Sequence, residues 1–184
     1  MCIKIKRRIC VSSDEGRKIC INPYKGFRVN CMIGYNHVLL KQQSLDIEIN
    51  ENTFCRQIAS ARTFGFLKDV EALRKKGLAK GGSLDNAIVI NDYCILNREG
   101  LRFKDEFVRH KILDIIGDMY LCGYPLMGYV IAHKSGHELH HLLTKEIIEN
   151  RGKWELVPYP IAAPLSFEAL GSNISSVGIK TGTL

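Results

Sequence analysis

Phe107-Val108-Arg109-His110-Lys111-Ile112-Leu113-Asp114-Ile115-Ile116-Gly117-Asp118 is the stretch on which the reading of this chain turns. Val108, Ile112, Ile115, Ile116 and, one residue beyond, Met119 fall within one stripe at helical spacing. His110, Asp114 and Asp118 recur four residues apart on the nearly opposite side. The pattern predicts an amphipathic helix over 103–122, stopped by Gly123, with one polar stripe. His110 and Asp114 at i, i+4 can grip a metal ion from the same face, and Asp118 stands one turn further on. On spacing alone the stripe also reads as a solvated helix face, because polar pairs at i, i+4 are common.

Working outward, 126–133 reads as a buried strand. Ser135 and Glu138 have capping-box spacing, which predicts a helix to about Asn150 with His137 in its first turn, beside free backbone N–H groups. Upstream, β-rich runs at 4–11, 18–22, 27–34 and 45–49 are broken by Asp14-Glu15-Gly16 and Pro23-Tyr24-Lys25-Gly26. Asn52 or Thr53 caps a short helix to about Ser60. A second helix over 67–76 ends at Gly77 and Gly81-Gly82, and 87–91 and 93–96 are strand-like. After Trp154 periodicity fades, and 171–184, rich in Ser, Gly and Thr, reads as a mobile tail. Together these elements predict a two-layer α+β sandwich, a mainly antiparallel sheet covered by helices.

With 184 residues, 46% hydrophobic and 24% charged, the chain has the make-up of an ordinary globular domain. No apolar run reaches the roughly 18–20 residues of a membrane helix. The opening Met1-Cys2-Ile3-Lys4-Ile5-Lys6-Arg7-Arg8 alternates like a strand and lacks the apolar core of a secretion signal, so a cytoplasmic chain is expected. The seven cysteines are scattered without Cys-x-x-Cys, so reduced, buried thiols are expected. A net charge of +7 admits nucleic acid or an anionic small molecule as partner. The basic residues lack the aromatic interleaving of a single-strand-binding surface, and a phosphate-bearing substrate fits them better.

Four stretches carry a specific likeness. Ser60–Gly65, Leu78–Asn91, Asn97–Asp118 and Lys134–His137 resemble, in order and spacing, the second, C-terminal domain of the UDP-3-O-acyl-N-acetylglucosamine deacetylases, the zinc amidases of the committed step of lipid A synthesis. The likeness runs from about Ile3 to Trp154, with 1–160 as the domain and 161–184 as a tail. It implies that His110 and Asp114 are zinc ligands, that His137 is a general acid that also helps to stabilise the oxyanion, and that Asp118 is its carboxylate partner. Thr63 then supplies a hydroxyl to the tetrahedral intermediate, Phe64 and Lys111 line the sugar-nucleotide site, and Lys134 lies close to it.

The likeness also implies an inserted strand–helix–strand element lining an apolar tunnel for an acyl chain, with Leu67, Val70, Leu84, Ala87 and Val89 at its positions. Read without it, those five are core residues, Phe64 is core and Lys111 is a surface lysine. Ala79 and Leu84 stand where the family often has other residues, which bears on the preferred chain length. The family's first domain contributes a Glu-His pair, the histidine as third zinc ligand and the glutamate as general base. This sequence contains no Glu-His and starts where the second domain would start. The remaining histidines, His37, His133, His140 and His141, match no family role, and His140–His141 read as an exposed part of the last helix.

Three readings therefore compete. One is half of a deacetylase acting on UDP-3-O-acyl-N-acetylglucosamine, inactive alone, with a separate N-terminal half supplying Glu-His. The second is a non-catalytic remnant that binds UDP-sugar or acyl chains, and the third is a basic nucleic-acid-binding module.

Overall fold

In a computed structural model that describes residues 1–78 and 80–159, strand β8 (Leu126–His133) holds the fold together. Its sequence alternates Leu126, Gly128, Val130 and Ala132, all buried, with residues that are not, so one face enters the core. β4 (Phe27–Gly34) pairs with it in parallel and β3 (Lys18–Asn22) antiparallel, while β1 (Cys2–Ile5) pairs in parallel with its first residues. β5 (Gln42–Glu48), β2 (Ile9–Ser12) and β9 (Trp154–Val157) extend the sheet through antiparallel pairs to β4, β3 and β1. The result is a mixed, mainly antiparallel seven-stranded sheet.

Two helices form the second layer. α3 (Glu106–Met119) packs on β4 and β5, α4 (His137–Glu149) packs on β2 and β3, and the helices also pack on each other. The stripe of α3 read from the sequence faces the core: Val108, Ile112 and Ile115 are fully buried, and Ile116 packs against them. A short helical segment comes earlier, α1 (Glu51–Thr53) and the wide turn Phe54–Ile58, and its N-cap is Asn50 rather than Asn52 or Thr53. The Asn50 side chain accepts from the Thr53 backbone and Thr53 Oγ1 accepts from the Asn50 N–H, which satisfies two free helix-start donors.

Between the layers' elements sits an inserted unit. β6 (Thr63–Phe66), α2 (Leu67–Lys75) and β7 (Ala87–Ile90) form strand–helix–strand, with β6 and β7 paired in parallel as a separate two-stranded sheet. Gly77, at φ 75°, follows α2 in the left-handed conformation expected after a helix.

Several expectations need correcting. The run over 4–11 is two strands, because Lys6 and Arg7 leave the sheet and donate their N–H groups to Lys153 O. Residues 93–96 form no strand; Asn91 Oδ1 accepts from the N–H groups of Tyr93 and Cys94, and only Ile95 bridges back to Ile90. Order does not fade after Trp154, since Trp154–Val157 pairs with β1. Cys10 and Cys20 face each other across β2 and β3 and are joined in a disulfide, against the expectation of reduced thiols; Cys2, Cys31, Cys55, Cys94 and Cys122 are free. Ala79 and the expected tail lie outside the described residues.

Gly128 lies where the sheet leaves no room for a side chain. A Cβ there would stand 2.7 Å from Ile21 Cδ1 and 3.1 Å from Ile5 Cγ1. Gly128→Ala should therefore cost about 1–3 kcal/mol by overpacking. The urea midpoint should fall with the slope unchanged.

Candidate functional site

The polar stripe of α3 is not a solvated face. His110, Lys111 and Asp114 are all largely buried, at side-chain exposures of 16%, 14% and 15%. His110 Nδ1 lies 3.2 Å from Ala61 O, and a carbonyl can only accept, so Nδ1 carries a proton and Nε2 is the nitrogen turned to Asp114. That Nε2 lies 3.3 Å from Asp114 Oδ1, while Lys111 Nζ takes the other carboxylate oxygen at 2.8 Å.

Asp118, at the end of the stripe, is a hub. Its Oδ2 accepts from His137 Nδ1 at 2.7 Å and from His140 Nδ1 at 2.7 Å. His137 opens α4 and is mostly exposed, with its Nε2 3.9 Å from Asp114 Oδ2. His140, one turn into α4, is fully buried, and its Nε2 meets Ser135 Oγ at 2.9 Å. Burial holds the His140 imidazole below its ordinary value of 6.5, outweighing the pull of Asp118.

Two expectations fall here. Ser135 makes no capping box, because Gly136 is the N-cap, without a side-chain bond, and the serine hydroxyl is engaged by His140. His140 is not exposed; only His141 is. A histidine three residues after His137 shares its helix face, and that spacing was the signal available in the sequence.

A second buried network supports the first. Arg62 and Glu106, 3% and 0% exposed in their side chains, form a forked pair with Nε–Oε1 3.0 Å and Nη2–Oε2 3.2 Å. Glu106 Oε1 also accepts the backbone N–H of Arg62 at 3.0 Å, and Arg62 reaches Gly100 O and Glu99 as well. Burial alone would push the Glu106 carboxyl up. The hydrogen bonds from the Arg62 side chain and from the backbones of Arg62 and Arg102 outweigh it and hold the group below its ordinary value. The pair thus pins Ala61, which orients His110, and Thr63, which opens β6, to the first turn of α3.

The inserted unit carries a cavity of about 430 Å³ whose lining includes Leu67, Val70, Leu84, Ala87 and Val89 together with Thr63 and Phe64. All five apolar positions named from the sequence are therefore brought together, and none of them belongs to the buried core. Phe64 serves two settings: it lines this cavity and packs edge-on to Phe107, with ring centroids 4.9 Å apart. Lys134 stands apart from the cavity. It has φ 49°, uncommon for a residue with a Cβ, and lines a separate hollow with Gly34, Tyr35, Lys41 and His133.

Among the described residues, one group of three potential ligand atoms lies within 4.8 Å of one another, from Asp118, His137 and His140. Ligands about 2.0–2.2 Å from a tetrahedral ion stand about 3.3 Å apart. The 2.7 Å contacts of that trio are hydrogen-bond lengths, whereas His110 Nε2 and Asp114 Oδ1 have the spacing of a ligand edge. His110 also has the hydrogen-bonded second nitrogen common in metal-binding histidines.

The family model described as UDP-3-O-acyl N-acetylglycosamine deacetylase matches residues 1–149. The chain is similar to proteins named UDP-3-O-acyl-N-acetylglucosamine deacetylase. The one from Myxococcus xanthus is 44% identical over 164 residues, covering 89% of this chain and 51% of that protein. Those of Psychrobacter arcticus and Histophilus somni are 46% and 47% identical over 169 and 160 residues, covering 90% and 85% of this chain and 52% of each relative. The chain spans about half the length of the curated relatives it matches. No helix among the described residues is long and apolar enough to cross a membrane.

Glu106→Ala should cost about 3–5 kcal/mol, because it leaves the Arg62 guanidinium buried without its partner; urea unfolding measures it. A second expectation concerns pH. A histidine whose folded value lies below 6.5 opposes folding once the unfolded chain binds a proton that the folded chain refuses. Stability should therefore fall as pH drops below about 6.5, and His140→Asn should flatten that part of the curve in thermal melts.

Proposed function

The chain belongs to the UDP-3-O-acyl N-acetylglycosamine deacetylase family, and from that premise we propose that it supplies the substrate-gripping, proton-donating half of a zinc-dependent amidase. The substrate is UDP-3-O-acyl-N-acetylglucosamine and the products are its free amine and acetate, in lipid A synthesis. The observation that carries the reading is the geometry around Asp114, with a ligand pair on one side and the His137–Asp118 pair on the other.

His110 Nε2 and Asp114 Oδ1 would hold the zinc ion, Lys111 keeping the second carboxylate oxygen engaged. When bound, zinc makes water easier to deprotonate and polarises a carbonyl. A catalytic zinc site commonly takes three protein ligands. The third ligand and the general base we assign to a Glu-His pair outside these 184 residues, on a preceding or separate N-terminal half, because no Glu-His occurs within them.

His137 donates from Nε2 to the departing amine while its Nδ1–H stays on Asp118. Thr63, at the mouth of the cavity, gives its hydroxyl to the developing oxyanion. Phe64 stacks near the sugar, and Lys111 and Lys134 offer positive charge to the sugar nucleotide. The apolar cavity takes the acyl chain through Leu67, Val70, Leu84, Ala87 and Val89, at roughly 0.8 kcal/mol per CH₂ buried. Five free thiols against one disulfide favour a reducing compartment, the cytoplasm.

Mixing this chain with the part of the Myxococcus xanthus relative that it does not cover should restore deacetylation that neither piece shows alone. In that mixture His110→Ala and Asp114→Ala should lose zinc, measured as metal per complex. His137→Ala should keep zinc and lose at least about 10²-fold in turnover, the usual worth of a positioned proton donor. Strong turnover by the 184 residues alone, or zinc loss from His137→Ala, would overturn these roles.

A further inference from the structure

His140 is the one fully buried histidine of the described chain, and no role considered so far uses it. Its two ring nitrogens are both engaged. Nδ1 faces Asp118 Oδ2 at 2.7 Å, and Nε2 faces Ser135 Oγ at 2.9 Å. An ionised carboxylate only accepts, so the His140 proton must sit on Nδ1; a neutral ring then has a bare Nε2, which only a donor can satisfy. Burial favours the neutral ring. The direction of every bond follows: the Ser135 hydroxyl donates to His140, His140 donates to Asp118, and His137 donates to the same oxygen.

This matters because the two imidazoles live in different surroundings. His137 has 68% of its side chain exposed, and the bond from its Nδ1 to Asp118 is what orients it. Asp118 itself ends a helix and is only partly buried. His140 does not move so freely, being fully buried and held on both ring nitrogens, by Asp118 and by Ser135. The two rings stand edge-on, 5.9 Å apart, across the shared oxygen.

We propose that His140 is a positioning residue: a buried Nδ1–H imidazole, locked by Ser135, that holds Asp118 so that the exposed His137 keeps its proton on Nδ1 and turns Nε2 to the reaction. The proposal rests on the assignment of His137 as proton donor for its purpose, and its test needs neither metal nor substrate.

The test is long-range ¹H–¹⁵N spectroscopy of the ¹⁵N-histidine-labelled 184-residue chain, at a pH where both rings are neutral. His140 and His137 should both show the Nδ1–H tautomer, the less common one in free imidazole. In His140→Leu, His137 should lose that preference and change to Nε2–H. His140→Asn, whose amide can still donate to Asp118, should restore it at least in part. An Nε2–H tautomer for His140 in the unaltered protein would overturn the proposal whether or not any variant folds. So would an unchanged His137 tautomer in a folded His140→Leu chain, the outcome a purely packing role predicts. If deacetylation is never reconstituted while the tautomers are as stated, the functional reading fails and this one stands.

Discussion

The buried pairing of Arg62 with Glu106 is the constraint on which the site depends. An isolated charge in that position would be costly, and the carboxylate is tolerable because guanidinium and backbone N–H groups surround it. Those donors come from both ends of the insert: Arg62 precedes β6, and Arg102 follows β7. Glu106 thereby ties the entry and exit of the strand–helix–strand unit to the start of α3. One turn later on α3 comes His110, whose Nδ1 bonds the carbonyl just before Arg62. A buried polar network thus sets the orientation of the His110 imidazole.

The remaining chemistry collects where α3 ends and α4 begins. Asp118 lies in the last turn of one helix, and His137 is the first residue of the other. β8 connects them, so the long central strand returns the chain to bring two helix ends side by side.

Much of this was legible in the residues. The apolar stripe of α3, the limits of β3, β4 and β8, and the strand–helix–strand insert follow from periodicity, turn residues or family likeness, and the structure agrees; the parallel pairing of the insert's strands does not follow from them. What escaped depends on contacts distant in sequence. Strand β9 is only four residues long, and its partner β1 lies at the other end of the chain. His140 looked like one of two adjacent polar residues on a helix surface; its burial comes from α3 and the loop before α4, which no local pattern reports. Ser135 had the right spacing for a cap, but the buried imidazole competed for the same hydroxyl and won. Glu106 carries no local signal, since nothing in its neighbourhood announces an arginine 44 residues away.

The insert joins the main body through Ile88 and Ile90 of β7 and through Phe64 and Phe66 of β6, while its helix stands outward. Lys68, Asp69, Glu71, Ala72 and Arg74 of α2 are exposed, and the side chains lining its cavity stand outside the buried core. Replacing Val70 or Leu84 therefore changes the shape of a hollow without unsettling the packing that holds His110, Asp118 and His137. The apolar hollow and the histidine–carboxylate cluster lie in separately adjustable parts of one chain. Side chains of the hollow can change in size and shape at little cost in stability, because none of them carries the buried core, while the histidine–carboxylate contacts stay in place.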